Sequence, residues 1–223
     1  MTIRRTLCLL WLLWFLPLLP AQGNLDQVFA KMDETSKTFR SVECGLERTK
    51  VTVLVNDKDV ASGKLYYMRS AKEPRLKVEL LKPDQIVLIA NGKIQMYTPK
   101  INQVQEASLG GHANIVEQFM AIGFGQSSAD LKKNYQVSYA GEETIDGKKA
   151  AMLDLIPKTA VGGIKTLRIW MDEQKGISVQ VKATEASGDY TTFKYSSIKL
   201  NPTIADTTFE LKLPKDVHVN KLN

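Results

Sequence analysis

Only two of the 223 residues are cysteines and two are histidines. Cys8 sits inside the apolar N-terminal run, so once that run is removed Cys44 stands alone and no intramolecular disulfide can form. His112 and His218 are far apart, and neither has a second ligand at metal-binding spacing. The chain also lacks a glycine-rich phosphate loop ahead of a helix and a Gly-x-Ser-x-Gly nucleophile elbow. An enzyme is therefore not expected, nor a cofactor. Cys44 could act as a nucleophile with a distant histidine, but a cysteine on an alternating strand also serves as a small hydrophobe. Charge of one sign is scarce too: the formal charge is +6, or +4 without Arg4 and Arg5. The basic residues are scattered, with short pairs at Lys132-Lys133 and Lys148-Lys149. No nucleic-acid partner is expected from so mild and dispersed an excess.

Long apolar runs are missing except at the start. Arg4 and Arg5 precede an uncharged stretch from Leu7 to Leu19, and Pro20-Ala21-Gln22-Gly23 then supplies small residues suited to signal-peptidase cleavage. These thirteen residues, broken by Pro17, fall short of the roughly 20 that span a bilayer. Residues 1–23 are read as a secretory signal, the alternative being a membrane anchor. Cys8 lies near the beginning of the run, not after it where a lipid-modified cysteine would stand. The mature chain, 24–223, has no linker, repeat or low-complexity tract and is expected to fold as one domain stabilised by buried surface.

What is present is a succession of strands. Ile86 to Ala90 and Lys93 to Thr98 flank Asn91-Gly92, a dipeptide tolerant of the positive φ that tight hairpin turns require. The first run does not alternate polar with apolar residues, so its sheet needs covering on both sides. Before it, Asn24 can cap a helix whose Leu25, Val28, Phe29, Met32, Ser36 and Phe39 recur at three- and four-residue steps, with Gln27 completing a capping box. From Val42 the period becomes two through Cys44 and Leu46, then after a phase slip through Val51, Val53 and Val55. Gly63 to Arg69 reads as the returning strand, and Arg75 to Leu81 as an amphipathic strand with a wet face of Arg75, Lys77 and Glu79. Ile115, Phe119 and Ile122 have helical spacing before Gly123 and Gly125, and Ser127 or Ser128 can cap a brief helix through Lys133. Strands follow at 136–142, 149–157, 165–172, 177–185 and 189–200. The fold class is mainly β, an α+β arrangement of one antiparallel meander with few helices.

Three stretches carry a family likeness. Arg69, Leu76 to Leu80, Pro83-Asp84, Asn91-Gly92-Lys93 and Tyr97-Thr98-Pro99, with Gln103-Val104 after them, form the first. Leu167 to Asp172 followed by Ile177-Ser178 forms the second. Phe209, Pro214 and Val217 form the third. In this order they resemble the periplasmic outer-membrane lipoprotein carrier (LolA-type) family. The spacing from Arg69 to Pro83 is longer and that from Gly92 to Tyr97 shorter than the family's pattern, and Leu76 and Val78 replace aromatic residues.

The resemblance implies a single curved sheet forming an unclosed β-barrel, with helices over a concave face that receives acyl chains. It implies location in the periplasm, lipoprotein acyl chains as ligand, an inner-membrane lipoprotein exporter and an outer-membrane acceptor as partners, and a monomer. Composition alone leaves an ordinary closed core open as well. On the carrier reading Leu76, Val78, Leu80, Leu88, Met96, Leu153, Leu155, Leu167, Ile169, Val179 and Val181 share the concave face. Residues 25–39 and 113–125 form a movable cover in which Phe29, Met32, Phe119, Met120 and Phe124 touch ligand. Arg69 is either a polar gatekeeper or an edge-strand charge that blocks sheet association. The alternatives in function are a periplasmic lipid or glycolipid shuttle and a lipid-sensing regulatory protein of the same fold.

Overall fold

A computed structural model describes residues 22–70, 73–82, 84–110, 122–160 and 162–222. The helical stripe forms α1 (Gln22–Thr38), and the alternating segments form β1 (Ser41–Thr52), β2 (Asp57–Met68), β3 (Arg75–Leu81), β4 (Gln85–Ala90), β5 (Lys93–Thr98) and β6 (Gln103–Ser108). After the short α2 (Ser128–Asn134) come β7 (Tyr135–Ile145), β8 (Lys148–Pro157), β9 (Ile164–Asp172), β10 (Ile177–Glu185) and β11 (Tyr190–Leu200), and finally β12 (His218–Leu222). All twelve strands belong to one sheet in the order β12-β6-β5-β4-β3-β2-β1-β11-β10-β9-β8-β7. The sheet is curved and unclosed, as expected, with β7 and β12 as its edges.

The topology differs from a single meander in two respects. Two meanders, β1–β6 and β7–β11, are joined through the antiparallel pairing of β1 with β11. The chain then returns across the sheet so that β12 pairs with β6 in parallel, a non-local contact that local periodicity cannot signal.

Three local expectations are corrected. Asn24 lies inside α1, where its amide donates to Tyr139 Oη at 3.1 Å and Glu142 Oε1 at 3.2 Å, fastening the helix to β7. Val53–Val55 do not continue β1; they make a 3₁₀ turn closed by Asn56 at φ 50°, and all three are exposed. The expected wet face of β3 is covered by the segment that leads to β12. Arg75 pairs with Asp206 at 2.8 Å and stacks 4.9 Å from the Phe209 ring, while Lys77 Nζ donates to the Glu210 carbonyl. Other expectations hold: Asn91 and Gly92 turn β4 into β5 with φ of 55° and 67°, and Ser127 caps α2 by accepting the Asp130 N–H.

Each face of the sheet therefore has its own cover. On the concave side, Val28, Phe29 and Met32 of α1 pack on Leu153, Leu155, Leu167, Ile169, Met171 and Val181. On the convex side, Phe209 closes over Leu88 and Ala90, with Tyr66, Met68, Ile204 and Leu211 at the margin. Fully burying one such side chain contributes about 1.5–3 kcal/mol. Phe209→Ala should lower unfolding free energy by about 3–5 kcal/mol; a urea midpoint unchanged from the wild type would contradict the strap's stabilising role.

Candidate functional site: the concave face

The register sorts the candidate residues by face, because directly opposed residues in a ladder project to the same side. Leu76 opposes Ile89, which opposes Ile94; Val78 opposes Val87, which opposes Met96. Leu76 and Val78 lie against the cluster of Phe39, Leu65, Tyr67, Leu80 and Phe124, so all these side chains are concave. Leu88 opposes Lys77 and Gln95 and belongs to the convex cluster under Phe209. Its assignment to the concave surface is corrected: in a strand apolar on both faces, composition does not reveal the register, and one residue's slip inverts the side. Val179 likewise packs with Ala150 and Trp170 away from the α1 core.

The concave face has two unlike halves. Under α1 it is filled: Phe29, Met32, Leu155, Ile169 and Val181 are between 0% and 5% exposed and contact one another in a closed core. In this conformation they are packing residues, not the lining of an open space. Leu80 and Phe124 are equally enclosed, Phe124 lying edge-on to Tyr195 with ring centroids 4.9 Å apart. On β3–β5 the surface changes. Val87, Ile94 and Met96 are only half-buried and belong to none of the four packed clusters among the described residues. Sequence reading named Met96 but missed Val87 and Ile94, which the alternation of the hairpin could have shown once its register was known. Phe119 and Met120, with most of the expected 113–125 cover and His112, lie outside the described residues. His218 is exposed on β12.

At the boundary between the halves, Arg69 makes a joint. It follows β2, an interior strand between β1 and β3, so the edge-protection reading is excluded. Its Nη1 donates to the Ser36 carbonyl in the last turn of α1 at 3.0 Å, its Nη2 donates to the Gly125 carbonyl, and the guanidinium lies 5.3 Å from the Phe39 ring centroid. A cation near a helix C-terminus also meets the favourable end of the dipole. Gly125 has φ 71°, and a Cβ there would fall 2.2 Å from the Phe39 ring, so only glycine lets the segment lie this close. The joint is extended by Ser178 N donating to the Gly123 carbonyl at 2.7 Å. Ser128 donates its backbone N–H and hydroxyl to Asp33 of α1 at 2.7 and 2.8 Å.

Polar chemistry on this face is muted. Burial, with a smaller contribution from Glu43, pushes the Cys44 thiol up to about 12, so it stays protonated and unreactive at neutral pH. Burial raises Tyr195 as well, and brings Tyr135 up to about 12. Among the described residues no group of three or more His, Cys, Asp or Glu is placed to hold a metal ion.

The described residues thus form an open sheet with one helix-filled half and one half-buried aliphatic half. A family model described as outer membrane lipoprotein carrier protein LolA matches residues 24–212, and the chain belongs to this family. An outer-membrane lipoprotein carrier protein of Dechloromonas aromatica is 24% identical over 210 residues, 92% of this chain and 90% of that one. An uncharacterized protein of Methanocaldococcus jannaschii is 24% identical over 195 residues, covering 87% of this chain, which spans only 53% of the archaeal protein's length. In structure, an uncharacterized conserved protein from Thermus thermophilus shares the fold with a TM-score of 0.56 at 11% identity, over 89% of this chain and 99% of that one.

Two outcomes are expected. Arg69→Ala should release the Gly123–Gly125 stretch, seen as at least tenfold faster amide exchange at Ser178, whose N–H is held there; unchanged protection would remove the joint from the account. The buried thiol also sets an alkaline limit. Between pH about 9 and 12 the unfolded thiol is ionised while the folded one is not, so the unfolded state binds fewer protons and stability falls as pH rises through this window. Cys44→Ala should flatten that part of a stability–pH profile measured by urea unfolding.

Proposed function

We propose that the protein is a carrier that shields the acyl chains of lipoproteins in a hydrophobic hollow on the concave face during transfer from the inner to the outer membrane. Residues 1–23 act as a cleaved signal, residues 24–223 are the carrier domain, and the site of action is the periplasm. The observation that carries this reading is the aliphatic surface of Leu76, Val78, Val87, Ile94 and Met96, half-buried beside a core that is otherwise closed. Membership of the LolA family supports the ligand class.

Acyl chains exposed to water cost about 0.8 kcal/mol per methylene, so an aqueous crossing needs a shield. The shield must also let go. Met96 gives the β5 part of the surface a flexible, polarisable contact that adapts to a chain without locking it. Phe119 and Met120 supply further apolar contacts from the cover, and Phe29, Met32, Phe124, Leu80, Leu155, Ile169 and Val181 become accessible when α1 lifts. Arg69 holds the closed arrangement and gates that movement. The chain carries no cofactor, acts as a monomer and performs no chemistry on its cargo. Loading comes from an inner-membrane exporter and unloading from an outer-membrane acceptor.

A fluorescent fatty-acyl probe should gain emission on binding the purified protein, and Met96→Asp should weaken that binding at least tenfold while Ile156→Asp, on an exposed side chain of β8, leaves it intact. No gain with the wild type, or equal gain with Met96→Asp, removes the proposed hollow. Mass spectrometry of ligand extracted from natively purified protein decides between a lipoprotein and a free lipid or glycolipid cargo.

A further inference from the structure

Charge is sorted by face across the half of the sheet that α1 does not fill. Every Asp, Glu, Lys and Arg on β3–β6 and β12 either opposes Leu88 or Ala90 through the ladder, as Lys77, Lys93, Glu106 and Lys221 do, or alternates with Leu76 and Val78, as Arg75 and Glu79 do. All of them are therefore convex. There Lys77 pairs with Glu79 at 3.0 Å and Lys93 with Glu106 at 2.9 Å. The concave side of the same strands is polar without carboxylate, ammonium or guanidinium groups. Leu80 opposes Gln85 and Thr98 opposes Gln103, and since Ile86 opposes Tyr97 the four lie in one row across β3–β6. Gln105 opposes Met96 in the next row. His218 and Asn220 continue the two rows onto β12, where they are exposed. Gln85, Thr98, Gln103 and Gln105 are half-buried, and their side chains have no hydrogen-bond partner among the described residues. Successive rows on one face are about 7 Å apart, so this edge of amides and a hydroxyl stands directly against the aliphatic rows of Val87 with Met96 and of Ile89 with Ile94.

We infer that the row of Gln85, Thr98 and Gln103, with Gln105 beside it, is a subsite for the uncharged ester or amide linkage that adjoins an acyl chain, the hydrocarbon running from it across Val87, Met96, Ile89 and Ile94. This rests on the carrier reading above and specifies the polar end of its ligand. A carboxamide offers N–H donors and a carbonyl acceptor, and a threonine hydroxyl both donates and accepts. Such groups match a linkage that presents a carbonyl together with an N–H or a neighbouring hydroxyl. A carboxylate or phosphate held in the same place would give up water without meeting a counter-charge, which is unfavourable. The charges at the margins do not supply one. Lys82, Asp84 and Lys100 lie in the turns beyond the row and are exposed, where water and salt screen them, and Arg48 on β1 is already paired with Asp59 at 2.6 Å. A few polar groups at one end of an otherwise apolar surface also fix the direction of a ligand. The hydrocarbon then points toward the Leu76 end of the face, where Leu76 opposes Tyr67 and Arg69 follows β2.

The test is displacement of the fluorescent fatty-acyl probe from the purified protein by three single-chain ligands of equal chain length, each below its micelle concentration: a monoacylglycerol, a fatty acid at pH 8 and a lysophosphatidic acid. The monoacylglycerol should act at a concentration at least fivefold lower than either charged ligand. Gln103→Leu and Thr98→Val should each raise the monoacylglycerol concentration at least threefold and leave that of the fatty acid within twofold of the wild type. Gln95→Leu, on the convex side of β5, should leave all three unchanged. Equal potency of the three ligands, stronger displacement by a charged one, no change in Gln103→Leu and Thr98→Val, or a loss shared equally by all ligands would overturn the inference and leave the carrier reading in place. Failure of the probe to bind the wild type would overturn both. A peptide bearing the same acylglyceryl group on an N-terminal cysteine separates the two sources of such a linkage. Displacement at least as strong as that of the monoacylglycerol assigns it to a lipoprotein and weaker displacement to a free glyceride, and the preference for an uncharged linkage stands in either case.

Discussion

A sheet that is apolar on both faces must be covered twice, and among the described residues the covers are α1 and the segment that leads to β12. The β4–β5 hairpin puts Leu88 and Ala90 on one side and Val87, Ile89, Ile94 and Met96 on the other. The C-terminal strap seals the first side with a single aromatic ring, Phe209, pinned by Arg75. The second side is shared between α1, which fills the half over β8–β10, and whatever approaches the half over β3–β5. Since α1 has one apolar stripe, it cannot seal both halves. Among the described residues, the half-buried aliphatic surface is the part of this face that α1 does not reach.

Arg69 converts the arrangement from a stack of layers into a connected device. One planar guanidinium has enough donors to hold two carbonyls at once while its face rests on an aromatic ring. Here the carbonyls belong to Ser36 and Gly125, and the ring to Phe39. Three chain segments distant in sequence therefore depend on one side chain. A lysine could satisfy one carbonyl but could not combine two directed bonds with stacking. The neighbouring contacts of Asp33 with Ser128 and of Gly123 with Ser178 limit how far the segment can move when the guanidinium lets go.

Local order was readily legible in the amino-acid pattern. The Asn91-Gly92 turn, the stripe through Val28, Phe29 and Met32, the Ser127 cap and the strands from β7 to β11 all follow from short-range rules. What was not legible depends on pairing over long separations. The parallel β12–β6 ladder and the burial of Arg75 beneath the strap join parts of the chain over 100 residues apart, and a charge-bearing strand face read alone resembles one bathed in water. Leu88 illustrates the same limit within a strand: its neighbours are as apolar as it is, so only the partner strand reveals its side. For Phe29, Met32, Leu155, Ile169 and Val181 the limit is a different one. Phe29 and Met32 were expected in the cover and Leu155, Ile169 and Val181 on the sheet beneath it, but how closely cover and sheet meet depends on where α1 docks, and its docking is set by tertiary contacts such as Asn24 with Tyr139 and Thr35 with the Lys175 carbonyl.

The inequality of the two halves bears on how a carrier could release what it holds. A hydrocarbon chain wholly enclosed in a core packed like the one under α1 would recover nearly the full transfer free energy of every methylene, about 0.8 kcal/mol each, and would leave only as fast as that core could open. A chain lying on a half-buried surface recovers a fraction of it, because part of its own area still faces mobile groups or water. The fraction would be adjustable if α1 moves as proposed: lifting it would add area, and docking it would remove area. Binding strength on such a surface is therefore coupled to the position of the helix, and through Ser36 to Arg69. On the proposed carrier reading, an acceptor would not need to pull harder than a closed core to take the cargo. It need only favour the arrangement in which α1 is seated on Leu155 and Ile169, since the helix and the hydrocarbon would then compete for the same apolar floor.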